Sequence, residues 1–428
     1  MSMITEREYR KRRETFGKKL KNGSVAVLFT AEPKTRSNDT EYPYRQNSNF
    51  YYMSGFKEDS AALVLVKTSK RIKSYLFVHK KDAAEELWNG KRLGVEKAKE
   101  RFDVSDVFEY GELNAKLKEF LAEPKVLYYD FGLDYSKVKL LKRYAKNIDT
   151  FKNAAKKIQK MRLIKSDAEV ALIRKALTIT QEAHHRAVTR VSALQYEYEL
   201  QAEIEYVFKK NGAYSDAYTS IVASGNNANT LHYITNDQKI NHNDLILIDA
   251  GCEYDYYASD ITRTIPAKGR FSKVQKELYN LVLSVNKEII ECIKPGVLRS
   301  QLQQKSEEML CRGLVELGIL KGSVKKLLKK GAHKKYYPHG IGHWMGIDVH
   351  DACPYKDNKG KEIPLQPGMV LTIEPGIYID KDDMSVPKRF RGIGIRIEDD
   401  ILVTKDGFDN LSKKIKKETR DIESLASL

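Results

Sequence analysis

Cysteine is scarce in this sequence. The four cysteines among 428 residues are Cys252, Cys292, Cys311 and Cys353. No Cys-x-x-Cys occurs and the spacings match no zinc ribbon, which excludes a thiolate metal site and a disulfide framework. The four read as reduced thiols of a cytoplasmic protein. Long apolar runs are missing as well. Leu-Ile-Leu-Ile at 245–248 is far short of the roughly 20 residues that span a bilayer, so no membrane partner is expected. The first twenty residues, MSMITEREYRKRRETFGKKL, lack the apolar core of a signal peptide, and acids among the arginines argue against a transit peptide. With only 11 prolines and 25 glycines, extended disorder and collagen-like repeats are excluded too.

What the chain has in excess is positive charge, +17 overall. Such a balance can serve an acidic partner. Here the lysines are spread along the chain, and no basic run interleaves with stacking aromatics, so they read as a solvated surface with no nucleic-acid partner. The most basic stretch, KGSVKKLLKKGAHKK at 321–335, reads as a solvated helix end or loop.

At this length two domains are expected. SVAVLFT (24–30), AALVLVK (61–67), SYLFVH (74–79) and VLYYDFG (126–132) read as strands among helical stretches, a compact α/β pattern. In the first helix, Thr5 and Glu8 fit a capping box, with Tyr9, Phe16 and Leu20 on one face. A long helical region follows and breaks at Lys165-Ser166, where Ser166 and Glu169 form a second box. This places the domains at 1–165 and 166–428. The second mixes helices, such as 272–293, with strands such as DLILIDAG, GMVLTIEPG and GIGIRIEDD. The fold class is α/β (α+β).

Carboxylates stand at the ends of these strands. Asp249 closes LILID, and Asp260 follows eleven residues later, as if two strands and a short turn brought both to one end of a hairpin. An aspartate ending an apolar strand needs a cation or donor if buried; otherwise it is a turn residue capping its own backbone. Glu374 ends MVLTIE. In GIGIRIEDD, period two puts Ile393, Ile395 and Ile397 on one face and Gly394, Arg396 and Glu398 on the other. Glycine on the polar face suggests close approach of backbone or ligand; a surface Arg–Glu pair is the plainer alternative.

HGIGHWMGIDVHD, 339–351, holds three of the nine histidines. His339 and His343 have the spacing of a zinc-protease helix, but two glycines lie between them and no glutamate follows His339. A helix is unfavourable there and His-Glu-x-x-His is absent. If these histidines act on a metal, carboxylates from elsewhere must join them.

LIDAGCEYDYYASDITRT, HGIGHWMGIDVHD, VLTIEPGIY and GIGIRIEDD, in that order, resemble the pita-bread metallopeptidases, and most closely their aminopeptidase P branch. The resemblance extends to EYPYRQNSNFYYMSGF (41–56) and ELWNGKRLG (86–94) and covers nearly the whole chain. It implies a smaller N-terminal domain before a C-terminal pita-bread catalytic domain. It implies five metal ligands, Asp249, Asp260, His343, Glu374 and Glu398, with Asp260 and Glu398 shared between two ions. It also implies Glu374 as proton shuttle, His339 and His350 as binders of substrate or oxyanion, and His232, Arg396 and Tyr378 near the substrate. Trp88, with Arg92, would contact substrate from a neighbouring subunit.

Four carboxylates and one imidazole balance two divalent cations. Such oxygen-rich ligation suits manganese (Mn2+), with Co2+ or Zn2+ as alternatives. The implied activity is a metal-dependent Xaa-Pro aminopeptidase acting on peptides with proline in second position, as a homotetramer or homodimer. An Xaa-Pro dipeptidase would share the ligands. A non-catalytic pita-bread binding module would be expected to have lost them.

Overall fold

The computed structural model describes residues 4–428. The chain forms two compact units, one ending at Arg162 and the next beginning at Leu163.

In the first unit, α1 (Glu6–Lys18) starts where Thr5 accepts the N–H of Glu8, and its Tyr9 and Phe16 are buried. Besides a short exposed pair, Thr35–Ser37 with Thr40–Glu41, the strands are β1 (Ser24–Phe29), β2 (Ala62–Lys67), β3 (Ile72–Val78), β4 (Asp106–Glu109), β5 (Val126–Tyr129) and β6 (Thr150–Asn153). They form one sheet in the order β4-β3-β2-β1-β5-β6. β1 runs antiparallel to β2 and parallel to β5. All six residues of β1 are buried, which is why it reads as an unbroken apolar run rather than an alternating one. The short helix α2 (Ala83–Asn89) is capped by Asp82 and buries none of its residues. α3 (Ala155–Arg162) closes the unit.

The second unit opens with α4 (Asp167–Arg190), and the Ser166–Glu169 capping box forms as expected. α5 (Glu197–Lys210) precedes the strands. These are β7 (Ser215–Asp216), β8 (Ile221–Ser224), β9 (Leu245–Asp249), β10 (Cys252–Tyr254), β11 (Tyr257–Ala258) and β12 (Thr262–Pro266). α6 (Lys273–Glu291) and α7 (Arg299–Glu316) follow. The last strands are β13 (Val370–Ile373), β14 (Gly376–Ile379), β15 (Ile393–Arg396), β16 (Asp399–Val403) and β17 (Phe408–Asn410). The sheets run β8-β9-β12, β11-β10-β7, β13-β16-β17 and β14-β15. Among the described residues no helix is long and apolar enough to cross a membrane.

Two local features differ from the sequence expectation. β9 and β12 do pair, Asp249 opposite Thr262. Their connection is no simple turn, because the chain detours into another sheet through the β10–β11 hairpin. The two turn residues of that hairpin, Asp255 and Tyr256, both have positive φ, as a type I′ turn requires. GIGIRIEDD is two strands, since β15 and β16 lie in different sheets and the chain switches at Ile397-Glu398. The residues after 404 pack against the rest of the second unit. Tyr279 on α6 donates to the Lys417 carbonyl at 2.8 Å, and Arg263 on β12 donates to the Ile415 carbonyl at 3.0 Å.

Candidate metal centre

The switch at Ile397-Glu398 and the end of β9 aim acidic side chains at one spot. Asp249, Asp260 and Glu398 bring carboxylate oxygens within 4.8 Å of one another, and so do His343, Glu374 and Glu398 with their nitrogen and oxygens. Glu398 belongs to both triads. Asp260 reaches the second as well, with its oxygen 3.2 Å from His343 Nε2. Asp260, His343 and His350 form a third such group, so the arrangement is two adjoining donor sets with carboxylates shared at the seam and His350 at their edge.

Buried carboxylates this close cannot all stay ionised without a cation. Burial pushes Glu374 up to about 7. Burial raises Glu398 well above the usual carboxylate range, with the charges of Asp260 and Glu374 adding to it. Asp249 is also raised by burial, although Arg396 opposes this. Burial would lower His343, but Asp260 and Glu374 bring it to about 9. In this field the cluster holds protons, and a protonated His343 balances part of the carboxylate charge. Divalent cations would satisfy the same field. The donors, four carboxylates and one imidazole, therefore fit two hard or borderline metal ions.

A second layer holds the donors. Asp249 accepts from Tyr218 Oη at 2.5 Å and from Arg396 Nη2 at 2.6 Å. Thr262 donates to Glu398 at 2.7 Å and accepts from Arg396 Nε at 3.1 Å. Thr372 donates to Glu374 at 3.2 Å and accepts the N–H of His343 at 3.1 Å. Tyr218 and the two threonines were not singled out from the sequence, since nothing in their spacing marks them. The HGIGH segment is irregular, as its glycines require. A β-carbon on Gly342 would lie 1.9 Å from the Thr372 carbonyl oxygen, so this glycine, which also lines the cavity, lets the histidine loop press on β13. Gly394 does meet backbone closely, since a β-carbon there would sit 2.6 Å from the Ala228 oxygen.

The donors form the floor of a cavity of about 540 Å3, whose wall includes His232, His339, His350 and Arg396 with the apolar Ile221, Leu231, Ile234 and Val349. The His350 ring lies 4.0 Å from that of His343. Tyr378 accepts from Arg396 at 2.9 Å, and its oxygen lies 2.8 Å from His339 Nε2. His339 Nδ1 lies 2.9 Å from the Gly340 carbonyl. Burial holds His339 down to about 4, so it is neutral at pH 7. These partners assign its proton to Nδ1, with Nε2 accepting from Tyr378. Both nitrogens are then committed, which leaves His339 no N–H for an oxyanion. Trp88 stands on α2 of the first unit, 85% exposed, and is not among the residues of the cavity wall. Arg92 is engaged within its own unit, donating to Asp59 at 3.0 Å.

The model of metallopeptidase family M24 matches residues 171–405, more than half of the chain. The chain belongs to metallopeptidase family M24. The aminopeptidase P N-terminal domain matches residues 9–128. This M24 chain is 40% identical over 437 residues to the Xaa-Pro aminopeptidase of Escherichia coli K12, covering 99% of this chain and 98% of that one. Zinc-substituted E. coli aminopeptidase P in complex with product matches with a TM-score of 0.95 at 39% identity, covering 99% of this chain and 98% of that one. Proline aminopeptidase P II from Yersinia pestis matches with a TM-score of 0.96 at 39% identity, covering 99% and 100%. The second unit accordingly has the pita-bread fold, behind an N-terminal unit of the aminopeptidase P type.

Proposed function

We propose that this M24 protein is a metal-dependent Xaa-Pro aminopeptidase, releasing the first residue of peptides whose second residue is proline. One observation carries the reading beside the full-length similarity. Two donor triads that share Glu398 form the floor of a half-apolar cavity.

Asp249, Asp260, His343, Glu374 and Glu398 would hold two divalent ions. Such a pair supplies Lewis acidity toward the scissile carbonyl and acidifies a water to a nucleophile near pH 7. Glu374 Oε2, 3.7 Å from His339 Nδ1, is suited to take the water proton and pass it to the proline nitrogen as the bond breaks. His350, at the cavity surface, is free to donate to the oxyanion. His339, neutral and bound to Tyr378, instead holds the Tyr378–Arg396 chain in place. The apolar wall of Leu231, Ile234 and Val349 suits the proline ring, which lacks an N–H to satisfy. His232 stands beside it. Manganese is the metal we infer, from the single nitrogen among carboxylate donors. The exposed Leu87-Trp88 pair is the surface we assign to a neighbouring copy in a homodimer or homotetramer. Four cysteines with no disulfide among them fit residence in the reducing cytoplasm.

The test is direct. Protein stripped with chelator and reloaded with Mn2+ is offered an Xaa-Pro-Xaa tripeptide and an Xaa-Pro dipeptide in parallel. Metal-dependent release of the first residue from the tripeptide is expected. Cleavage of the dipeptide alone would make the protein a prolidase, and no cleavage of either with metal bound would refute a peptidase.

A further inference from the structure

One fully buried amide that none of the chemistry above uses bonds the backbone just before two of the donors. Asn286, on α6, is 0% exposed. Its Nδ2 donates to the carbonyl of Ile373 at 3.1 Å and to that of Ile397 at 3.2 Å. These carbonyls belong to the peptide groups that end in the N–H of Glu374 and the N–H of Glu398. The same two peptide groups are held at their other ends. Glu374 N–H donates to the Ile341 carbonyl at 2.9 Å, and Glu398 N–H to the Thr262 carbonyl at 3.1 Å. Each candidate ligand thus leaves a peptide plane bonded at both ends, and a single side chain supplies one end of both.

The amide could do this in only one orientation. Turned over, its oxygen would face two carbonyl oxygens and both donors would be lost. Lys417 sets the orientation, because its ammonium donates to Asn286 Oδ1 at 2.8 Å. The ammonium is itself anchored on Asp399 Oδ2 at 2.5 Å, while Arg263 holds the other Asp399 oxygen at 2.8 Å. Asp399 follows Glu398 directly, so the anchor is part of the same backbone it helps to hold.

We propose that Asn286 and Lys417 are positioning residues of the metal centre. Lys417 fixes the Asn286 amide, and the amide sets the separation of Glu374, just past the end of β13, and Glu398, between β15 and β16. This rests on those two glutamates being metal ligands. A purely structural role would cost stability alone. A positioning role also costs metal affinity, typically about 10–100-fold when a partner of a ligand is lost.

The experiment is calorimetric titration of Mn2+ into metal-free full-length protein, with thermal melts of the same samples. Wild type, Lys417→Met, Lys417→Arg and Asn286→Asp are compared, with the Mn2+ electron paramagnetic resonance spectrum as a second readout. Lys417→Met keeps the stem and loses the donor, so it serves if Asn286→Asp does not fold. The expected result is about 10–100-fold weaker binding for Lys417→Met and Asn286→Asp, an altered spectrum at saturation, and recovery in Lys417→Arg. Unchanged affinity in both, whatever happens to the melting temperature, overturns the proposal, as does an arginine variant as weak as the methionine one. Failure of wild type itself to bind two ions would instead refute the ligand assignment on which this rests.

Discussion

Arg396 and Asp249 meet at 2.6 Å across two sheets, and both side chains are largely buried. The guanidinium has two further partners, Thr262 Oγ1 and Tyr378 Oη. A planar fork with several donors can hold three partners at once, whereas a lysine ammonium on a flexible stem cannot. Arg396→Lys is expected to bind metal about tenfold more weakly or worse and to let His339 turn. Metal titration of the variant, with thermal melts to verify folding, checks this.

Tyr218 tests the same layer from the opposite oxygen. Tyr218→Phe removes the bond to Asp249 and little volume. Affinity at the site containing Asp249 should fall about tenfold. Metal content after dialysis would show it as loss of about one ion per chain.

Metal binding should release protons. Glu374 raised to about 7 and His343 raised to about 9 are both partly or wholly protonated at pH 7 in the metal-free protein. Ligands must shed those protons. Affinity should therefore weaken as pH falls from 8 to 6. Titrations in two buffers of different ionisation heat should differ by more than one proton per chain. Equal heats would mean that the cluster is already ionised.

His184 provides a pH effect away from the ligands. It is buried beside the Ala250 carbonyl, 2.9 Å from Nε2, and burial lowers it to about 3. A lowered value in the fold means the unfolded chain binds the extra proton first. The stabilisation is complete above the unfolded value of about 6.5 and is lost as pH falls toward 3. From pH 6 to 5 the unfolding free energy of the metal-loaded protein, read from denaturant melts, should fall by about 1.4 kcal/mol more than that of His184→Asn.

Asp351 closes the histidine-rich motif but does not join the donors. It pairs with Lys165 at 3.1 Å, both side chains 1% exposed. Asp351→Asn should cost about 3–5 kcal/mol of stability by leaving a buried charge unmatched. Mn2+ affinity should stay within about threefold, since no donor moves.

Period and punctuation made much of this readable in advance. β1 and β9 announce themselves as apolar runs, Ser166–Glu169 as a helix start, and Gly-Ile-Gly as a refusal of helix. The alternation in GIGIRIEDD already put Arg396 and Glu398 on one face, and the structure brings both to the cavity. The change of sheet between them was hidden, because local period does not register which neighbour a strand takes. Tyr218, Asn286 and Lys417 were equally hidden. Each acts through one hydrogen bond or two to a distant residue, and neither composition nor spacing carries that information.

The donors come from four separate stretches of chain, and the carboxylate common to both triads is the last of them. Asp249 and Asp260 are in place on the growing polypeptide long before Glu398 exists. An ion meeting a chain that stops before Glu398 would find both triads without the carboxylate they share. Completion of the donor set is thus a late step in the making of this protein, and chains cut short before Glu398 should retain no divalent ion through dialysis.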